Sequence, residues 1–376
     1  MRITIDISQI VYGTGVSFYT RNLVKALAKF DKDNQYVLFG TSCRLKRTLI
    51  DFGKEVERVN SNFSSKILSL PITLAEYLGN QWRIFPVEKI TGPIDVFHSS
   101  DWIQPPSAGA KVTTIHDFGF FKYPQTAHPK ILAVMKRKLQ LVKQEVDFVI
   151  AVSQTTKEDT IKYLSYPEEK IKVIYEALQD EVLKPASIRQ IAAIKKKYGI
   201  EGRYLLALST IEPRKNLGKI IEAFYLLLKT KPDLSLVVAG KTGWDKKVLE
   251  LNKRIPRLIF TGYLPTAELA ALYSGAYCLV YASLYEGFGM PILGAFACGC
   301  PVVTSNLSSM PEIAGKSAVL VDPLKVKSIV DGLRQIEEER ETLIKRGFAR
   351  VKKFTWEKTA QETLKVYEEA YKKRKT

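Results

Sequence analysis

The chain has 376 residues, 46% hydrophobic and 26% charged, with 57 Lys and Arg against 39 Asp and Glu for a formal net charge of +18. That composition excludes a disordered or fibrous chain and suffices for two ordinary domains. The charge points to polyanionic partners: phosphorylated small molecules, an anionic membrane face, or nucleic acid.

Four cysteines without zinc-like spacing (Cys43, Cys278, Cys298, Cys300) argue for a reducing compartment rather than a disulfide framework. The opening Met-Arg-Ile-Thr-Ile-Asp-Ile lacks a signal-peptide core. No apolar run approaches the ~18 residues of a membrane span. The expectation is a cytoplasmic protein, at most peripheral on the inner face of the cytoplasmic membrane.

Arg2 to Ile7 is a predicted strand. It leads through Gly13-Thr-Gly15 into a helix with Phe18, Tyr19, Leu23, Ala26 and Leu27 at helical spacing. Those glycines let backbone approach a ligand, and an ordinary tight turn explains them equally well. Asp31-Lys-Asp33 has metal-ligand spacing but reads as a solvated turn before the strand Tyr36 to Phe39. Ser64 to Trp82 is apolar with a helical period that Pro71 breaks. It reads equally as a membrane- or acceptor-facing hairpin and as a core helix pair.

Strands Asp95 to Phe97 and Lys111 to Ile115 each run into a histidine, His98 and His116. Ligands of open α/β sheets gather at strand carboxyl ends, so His116-Asp117 is a candidate for sugar contact, whereas His98 reads as a buried structural residue. His128 has no evident role. Pro129 to Val146 is a helix with a basic face (Lys130, Lys136, Arg137, Lys138, Lys143). After the strand Phe148 to Val152, a helix enters through Ser153 with a capping box at Thr155 and Glu158. Ile171 to Ile174 is one more strand.

The pattern then restarts. Residues 1–178 form one expected domain, 179–201 a connector, and 202–358 a second domain. The second repeats the first in kind, with strands at Tyr204, Leu234, Leu258, Tyr277 and Ala318. Two strand–helix halves imply a cleft between them. Glu212-Pro-Arg214-Lys215-Asn216 places two cations at a helix entrance after a strand, where they can clamp a diphosphate. Tyr277 to Ala282 is a buried strand, followed by Glu286-Gly287-Phe288-Gly289-Met290. A helix with Pro291 in its first turn and a left-handed cap at Gly299 comes next. The loop offers N–H groups and a helix dipole to an anion, and Glu286 offers a carboxylate to hydroxyls.

Thr114-Ile-His116-Asp117, Pro213-Arg-Lys-Asn216, Ser283-Leu-Tyr-Glu286-Gly-Phe-Gly, Ala297-Cys-Gly-Cys-Pro301-Val-Val, Ser305 to Glu312 and Phe354-Thr-Trp356 together resemble glycosyltransferase family 4. The resemblance implies an α/β, GT-B architecture: two Rossmann-like doubly wound domains facing each other across a cleft. The first would be the acceptor side, completed by helix 359–376, and the second the nucleotide-sugar donor side. It implies a retaining, metal-independent hexosyltransferase using a nucleoside-diphosphate sugar, with a mannose- or rhamnose-type sugar moved to a glycan or lipid-linked acceptor in cell-surface polysaccharide synthesis.

Under that resemblance, Glu286 binds donor-sugar hydroxyls and the N–H groups of Gly287, Phe288, Gly289 and Met290 hold sugar and phosphate. Arg214 and Lys215 neutralise the leaving diphosphate, Gly15 closes over the phosphates, and His116, with Asp117 beside it, contacts the transferred sugar. Tyr263 and Leu264 lie on the donor side. No cofactor and no metal is expected, an anionic membrane surface is an allowed partner, and nucleic acid is not.

Two positions depart from the family pattern. Gly294 stands where a second Glu is usual, and Thr210 where an Arg is common. Gly294 could make room for a differently seated nucleotide. The departures also leave a second reading, a catalytically weakened GT-B protein acting as a partner subunit or sugar-nucleotide sensor.

Overall fold

A computed structural model describes residues 1–126, 129–178, 183–251 and 255–375; His128 and residues 179–182 of the expected connector lie outside the described residues. The chain divides into two compact units, Met1–Glu176 with Thr355–Thr376, and Ala177–Phe354.

The first unit holds strands β1 (Arg2–Asp6), β2 (Gln35–Thr41), β3 (Phe63–Leu68), β4 (Val96–Ser99), β5 (Ala110–Ile115), β6 (Phe148–Ala151) and β7 (Ile171–Val173). The second holds β8 (Tyr204–Leu208), β9 (Ser235–Ala239), β10 (Leu258–Gly262), β11 (Cys278–Tyr281), β12 (Val302–Ser305) and β13 (Val319–Val321). Each unit forms one sheet with every pairing parallel, in the orders β3-β2-β1-β4-β5-β6-β7 and β10-β9-β8-β11-β12-β13. Parallel strands need helical crossovers, which cover the sheet and demand apolar strands. β4, β5, β6, β9, β11 and β12 are accordingly buried throughout. In the second unit Leu205, Val238, Val280, Phe224 and Ile329 belong to one core cluster.

Both sheets reverse their order at one place, between β1 and β4 and between β8 and β11. Outside the carboxyl ends of the strands flanking such a reversal lies the crevice where doubly wound folds take ligands. The final helix, Trp356–Lys375, belongs to the first unit. It is tied there by Thr359 Oγ1 donating to Tyr175 O at 2.8 Å and by the buried Tyr367 Oη against His98 Nδ1 at 2.6 Å. No described helix is long and apolar enough to cross a membrane.

In the first unit the structure corrects four readings. Phe63–Leu68 is an edge strand, not part of a helix: its apolar residues pack on β2 and the helix Lys46–Val59. The period read from Ser64 onward merges this strand with the short helix Ile72–Glu76, and Pro71 separates the two. Asp31 is buried rather than solvated; it caps the turn by accepting from the Asn34 side chain at 2.7 Å and the Tyr36 hydroxyl at 2.5 Å. Lys138 leaves the basic face of its helix and is buried, donating to Gln104 Oε1 at 2.6 Å and Ser99 Oγ at 2.8 Å. Burial pushes its ammonium down to about 7, against the pull of Asp101, Asp6 and Glu145. The helix Gln154–Leu164 is capped by Ser153, which accepts from Thr156 N at 3.1 Å, rather than by a box at Thr155.

Candidate functional site

In the second unit the loops after β8 and β11 flank the sheet reversal, and the sequence ties them together. Pro213–Lys215 is a single helical turn that ends at Asn216 in the left-handed conformation, φ +57. Asn tolerates that backbone, and its side chain then reaches outward. Asn216 Nδ2 donates to Ala282 O at 3.0 Å and Pro323 O at 2.8 Å, and Leu284 N donates to Arg214 O at 2.9 Å.

This lacing brings three expected residues together. Lys215 Nζ lies 2.7 Å from Glu286 Oε1 and 2.9 Å from Oε2, and Arg214 Nη1 lies 3.3 Å from Oε2. Arg214 also donates to Tyr285 O at 2.8 Å and, through Nη2, to Glu212 Oε1 at 2.8 Å. All four charged side chains are largely buried. Burial alone would push the Glu286 carboxyl up; Lys215 and then Arg214 overcome that and hold it down to about 2. The site therefore holds two fixed cations against two carboxylates, Glu286 shared by both cations and Glu212 paired with Arg214.

Gly287, Phe288, Gly289 and Met290 follow as the entrance of the helix Met290–Ala297. Gly289 takes φ +113 and Pro291 stands in the first turn. The loop is held by serines of the Ser305 to Glu312 motif, to which the sequence assigns no role: Ser308 Oγ donates to Glu286 O at 2.5 Å, and Ser309 Oγ to Phe288 O at 2.7 Å. Backbone N–H groups at such an entrance face an anion. Tyr263 and Leu264 follow β10 at the same carboxyl edge of the sheet. Tyr263 is exposed beside Lys241, whose Nζ is 5.3 Å from its ring centre, and Leu264 is buried.

Gly294 does not open space for a nucleotide. A Cβ there would lie 3.0–3.2 Å from the Tyr273 ring, whose hydroxyl donates to Pro291 O at 3.2 Å. The room that a longer residue would need is filled by the buried Tyr273.

In the first unit, Gly15 begins the helix Gly15–Phe30, after a cap in which Thr14 N donates to Ser17 Oγ at 3.3 Å. A side chain at Gly13 or Gly15 would meet nothing within 4 Å, so both leave the loop surface open. His116 follows β5. Its Nδ1 lies 2.9 Å from Glu176 Oε1, a partner 60 residues away that no local signal could reveal. Burial works against charge on this imidazole, yet Glu176, with Asp101 and Asp117, raises its pKa above the ordinary value. The bond at Nδ1 fixes the orientation of the ring. Asp117 Oδ1 accepts from Gly119 N at 2.7 Å, which shapes the loop after the histidine. His98 is buried between Tyr367 and Thr114 and, chiefly through burial, pushed down to about 3; it is a neutral structural residue.

Two family models match the chain. The one for glycosyltransferase family 4 covers residues 13–181, and the one for glycosyl transferases group 1 covers residues 190–349. An Escherichia coli protein named O-antigen chain mannosyltransferase B is 30% identical over a stretch covering 94% of this chain and 96% of that protein. Among solved structures, the sucrose-phosphate synthase of Thermosynechococcus elongatus superposes with a TM-score of 0.73 at 17% identity over 98% of each chain. Anabaena HepE, solved in complex with UDP and glucose, gives 0.70 at 16% identity over 97% of this chain and 98% of that one. At those identities the likeness concerns the fold.

Proposed function

The chain belongs to the group 1, family 4 glycosyltransferases, and on that premise we propose that it moves a mannosyl residue from a nucleoside-diphosphate sugar to a lipid-linked glycan in surface-polysaccharide synthesis, with retention and without a metal. The observation that carries the reading is the Glu286–Lys215–Arg214 cluster beside the helix entrance at Gly289, at the reversal of the second sheet. A sugar joined to a diphosphate needs both parts: a carboxylate for hydroxyls, and cations with N–H groups for phosphate. The relative named an O-antigen mannosyltransferase favours a mannose-type sugar and a surface-glycan acceptor.

In the proposed reaction the bond from the anomeric carbon to the diphosphate oxygen breaks, and its electron pair leaves with the diphosphate. Lys215, Arg214 and the N–H groups of the helix entrance stabilise that charge. The acceptor oxygen bonds the same face of the anomeric carbon, and its proton passes to the departing phosphate oxygen. The protein's part is positioning and charge stabilisation. His116 presents Nε2 to a sugar hydroxyl, and the first unit takes the acceptor. The setting proposed is the inner face of the cytoplasmic membrane.

The test has two readouts. A nucleoside diphosphate that binds raises the melting temperature by mass action, and purified protein with a donor and acceptor panel shows turnover. Turnover should persist in chelator. Activity lost there and restored by a divalent ion would overturn metal independence, and absence of turnover across the panel would overturn the reading.

A further inference from the structure

The first unit turns one surface segment inside out. Between β3 and β4, Glu76 and Asn80 are buried, while Tyr77, Trp82 and Ile84 are exposed by 46%, 60% and 59%. Polar contacts hold this reversal. Glu76 accepts from Arg137 Nη1 at 2.6 Å and from Gln81 Nε2 at 2.9 Å. Asn80 donates to Trp102 O at 2.9 Å and accepts from Gln104 N at 2.7 Å. Arg83 takes a left-handed backbone, φ +54, which a non-glycine residue keeps only when its surroundings enforce it. Its guanidinium turns inward to Glu145 at 2.6 Å and Gln104 O at 3.1 Å, and its neighbours Trp82 and Ile84 face solvent. Charge goes in and apolar surface goes out, the opposite of what a water-facing segment does.

Behind this segment lies a cavity of about 270 Å³, lined by Phe39, Leu68, Leu78, Phe85, Ile90 and Ile103 among others. Thr41 contributes the only polar side chain of the lining, and its buried Oγ1 has no partner among the described residues. Thr41 and Leu68 end β2 and β3, so the cavity opens at the carboxyl edge of the sheet, the edge where parallel sheets take ligands. Phe85 of the lining is half-exposed, with Lys89 Nζ 5.8 Å from its ring.

Carbon walls with one hydroxyl suit a hydrocarbon chain. Exposed aromatics suit a bilayer interface, where the rings sit at headgroup level, and Lys89 beside Phe85 can meet a phosphate. A protein partner would cover the aromatics but would have no use for the cavity behind them. We propose that this cavity takes the hydrocarbon chain of a phosphate-headed membrane lipid, with Tyr77, Trp82 and Ile84 seated at the bilayer interface. It rests on the lipid-linked acceptor of the proposed function for the identity of that lipid, whereas the binding itself is read without any transfer.

The test uses the full chain with decyl phosphate below its micelle concentration, followed by calorimetric titration. Flotation with phosphatidylglycerol–phosphatidylcholine vesicles runs alongside. Leu78→Trp fills the cavity, with Ile90→Trp as the second choice if the first lowers the melting temperature; Trp82→Ser combined with Ile84→Ser strips the exposed rim. The wild type should bind one decyl phosphate and float. The cavity-filling variant should lose at least tenfold in decyl phosphate affinity, and the surface pair at least fivefold in flotation. No decyl phosphate binding by the wild type would overturn the proposal. So would affinity that both cavity variants leave unchanged, or flotation that is released by salt alone and indifferent to the surface pair. A chain that transfers sugar yet fails these assays loses the lipid site and keeps the proposed function; one that passes them without turnover does the reverse.

Discussion

Replacing Lys215 by Ala removes the ammonium that lies 2.7 and 2.9 Å from the two oxygens of Glu286. The carboxyl falls from 4.5 to about 2 in the folded chain, a difference of ~3 kcal/mol. Lys215 is the larger cationic cause, so its loss at neutral pH should cost about 2 kcal/mol of that stabilisation. The sign follows from a depressed folded pKa. The stabilisation is full above 4.5 and is lost as pH falls toward about 2, so the variant should weaken less than the wild type across that window. The rate should suffer more, because a preorganised cation aimed at a leaving diphosphate acts mainly in the transition state. Loss of one such group costs on the order of 10²–10³ in kcat. Transfer kinetics give kcat and the KM for acceptor, and urea unfolding at pH 7 and pH 3 gives the stability. A kcat within threefold of wild type together with an unchanged acid limb would refute both the electrostatic assignment and the role.

Glu286→Gln should lower donor turnover about 10²-fold and leave acceptor KM unchanged, which steady-state kinetics checks; wild-type kinetics would remove the carboxylate from the site. Glu176→Gln should lower the His116 pKa, since Glu176 is the main influence raising it, and move the corresponding limb of the pH–rate profile to lower pH. An imidazole titration by NMR that stays in place would contradict this. Gly294→Glu should destabilise the chain by about 1–3 kcal/mol through collision with Tyr273, without tighter nucleotide binding. An unchanged melting temperature with higher nucleotide affinity would show that the position faces the ligand after all.

Much of the fold is legible because parallel strands must be apolar along their length. β8 and β11 announce themselves as apolar, buried runs followed by loops that carry polar residues. β3 escapes because an edge strand buries less; its pattern mixes exposed and half-buried residues and runs straight into a helix of similar composition. The cluster of Glu286, Lys215 and Arg214 is legible because its cations and its carboxylate each stand in a distinctive loop at a strand's carboxyl end. Their contact, 71 residues apart in sequence, follows from the adjacency of β8 and β11. What local sequence does not carry is partnership at a distance. Glu176 under His116, Tyr273 against Gly294, and the burial of Lys138 among Ser99, Gln104 and Thr113 all depend on which strands and helices become neighbours.

The cluster of Glu286, Lys215 and Arg214 is proposed to carry out a retaining sugar transfer from a nucleoside-diphosphate sugar. One reaction tests it most directly: purified wild-type chain and Lys215→Ala, each with a nucleoside-diphosphate mannose in which the donor linkage is α, a lipid-linked mannoside acceptor and chelator, with NMR of the product's new linkage. An α linkage formed by the wild type, at a rate the variant reduces at least a hundredfold, is the predicted result. A β linkage, or equal rates from the two proteins, would contradict it.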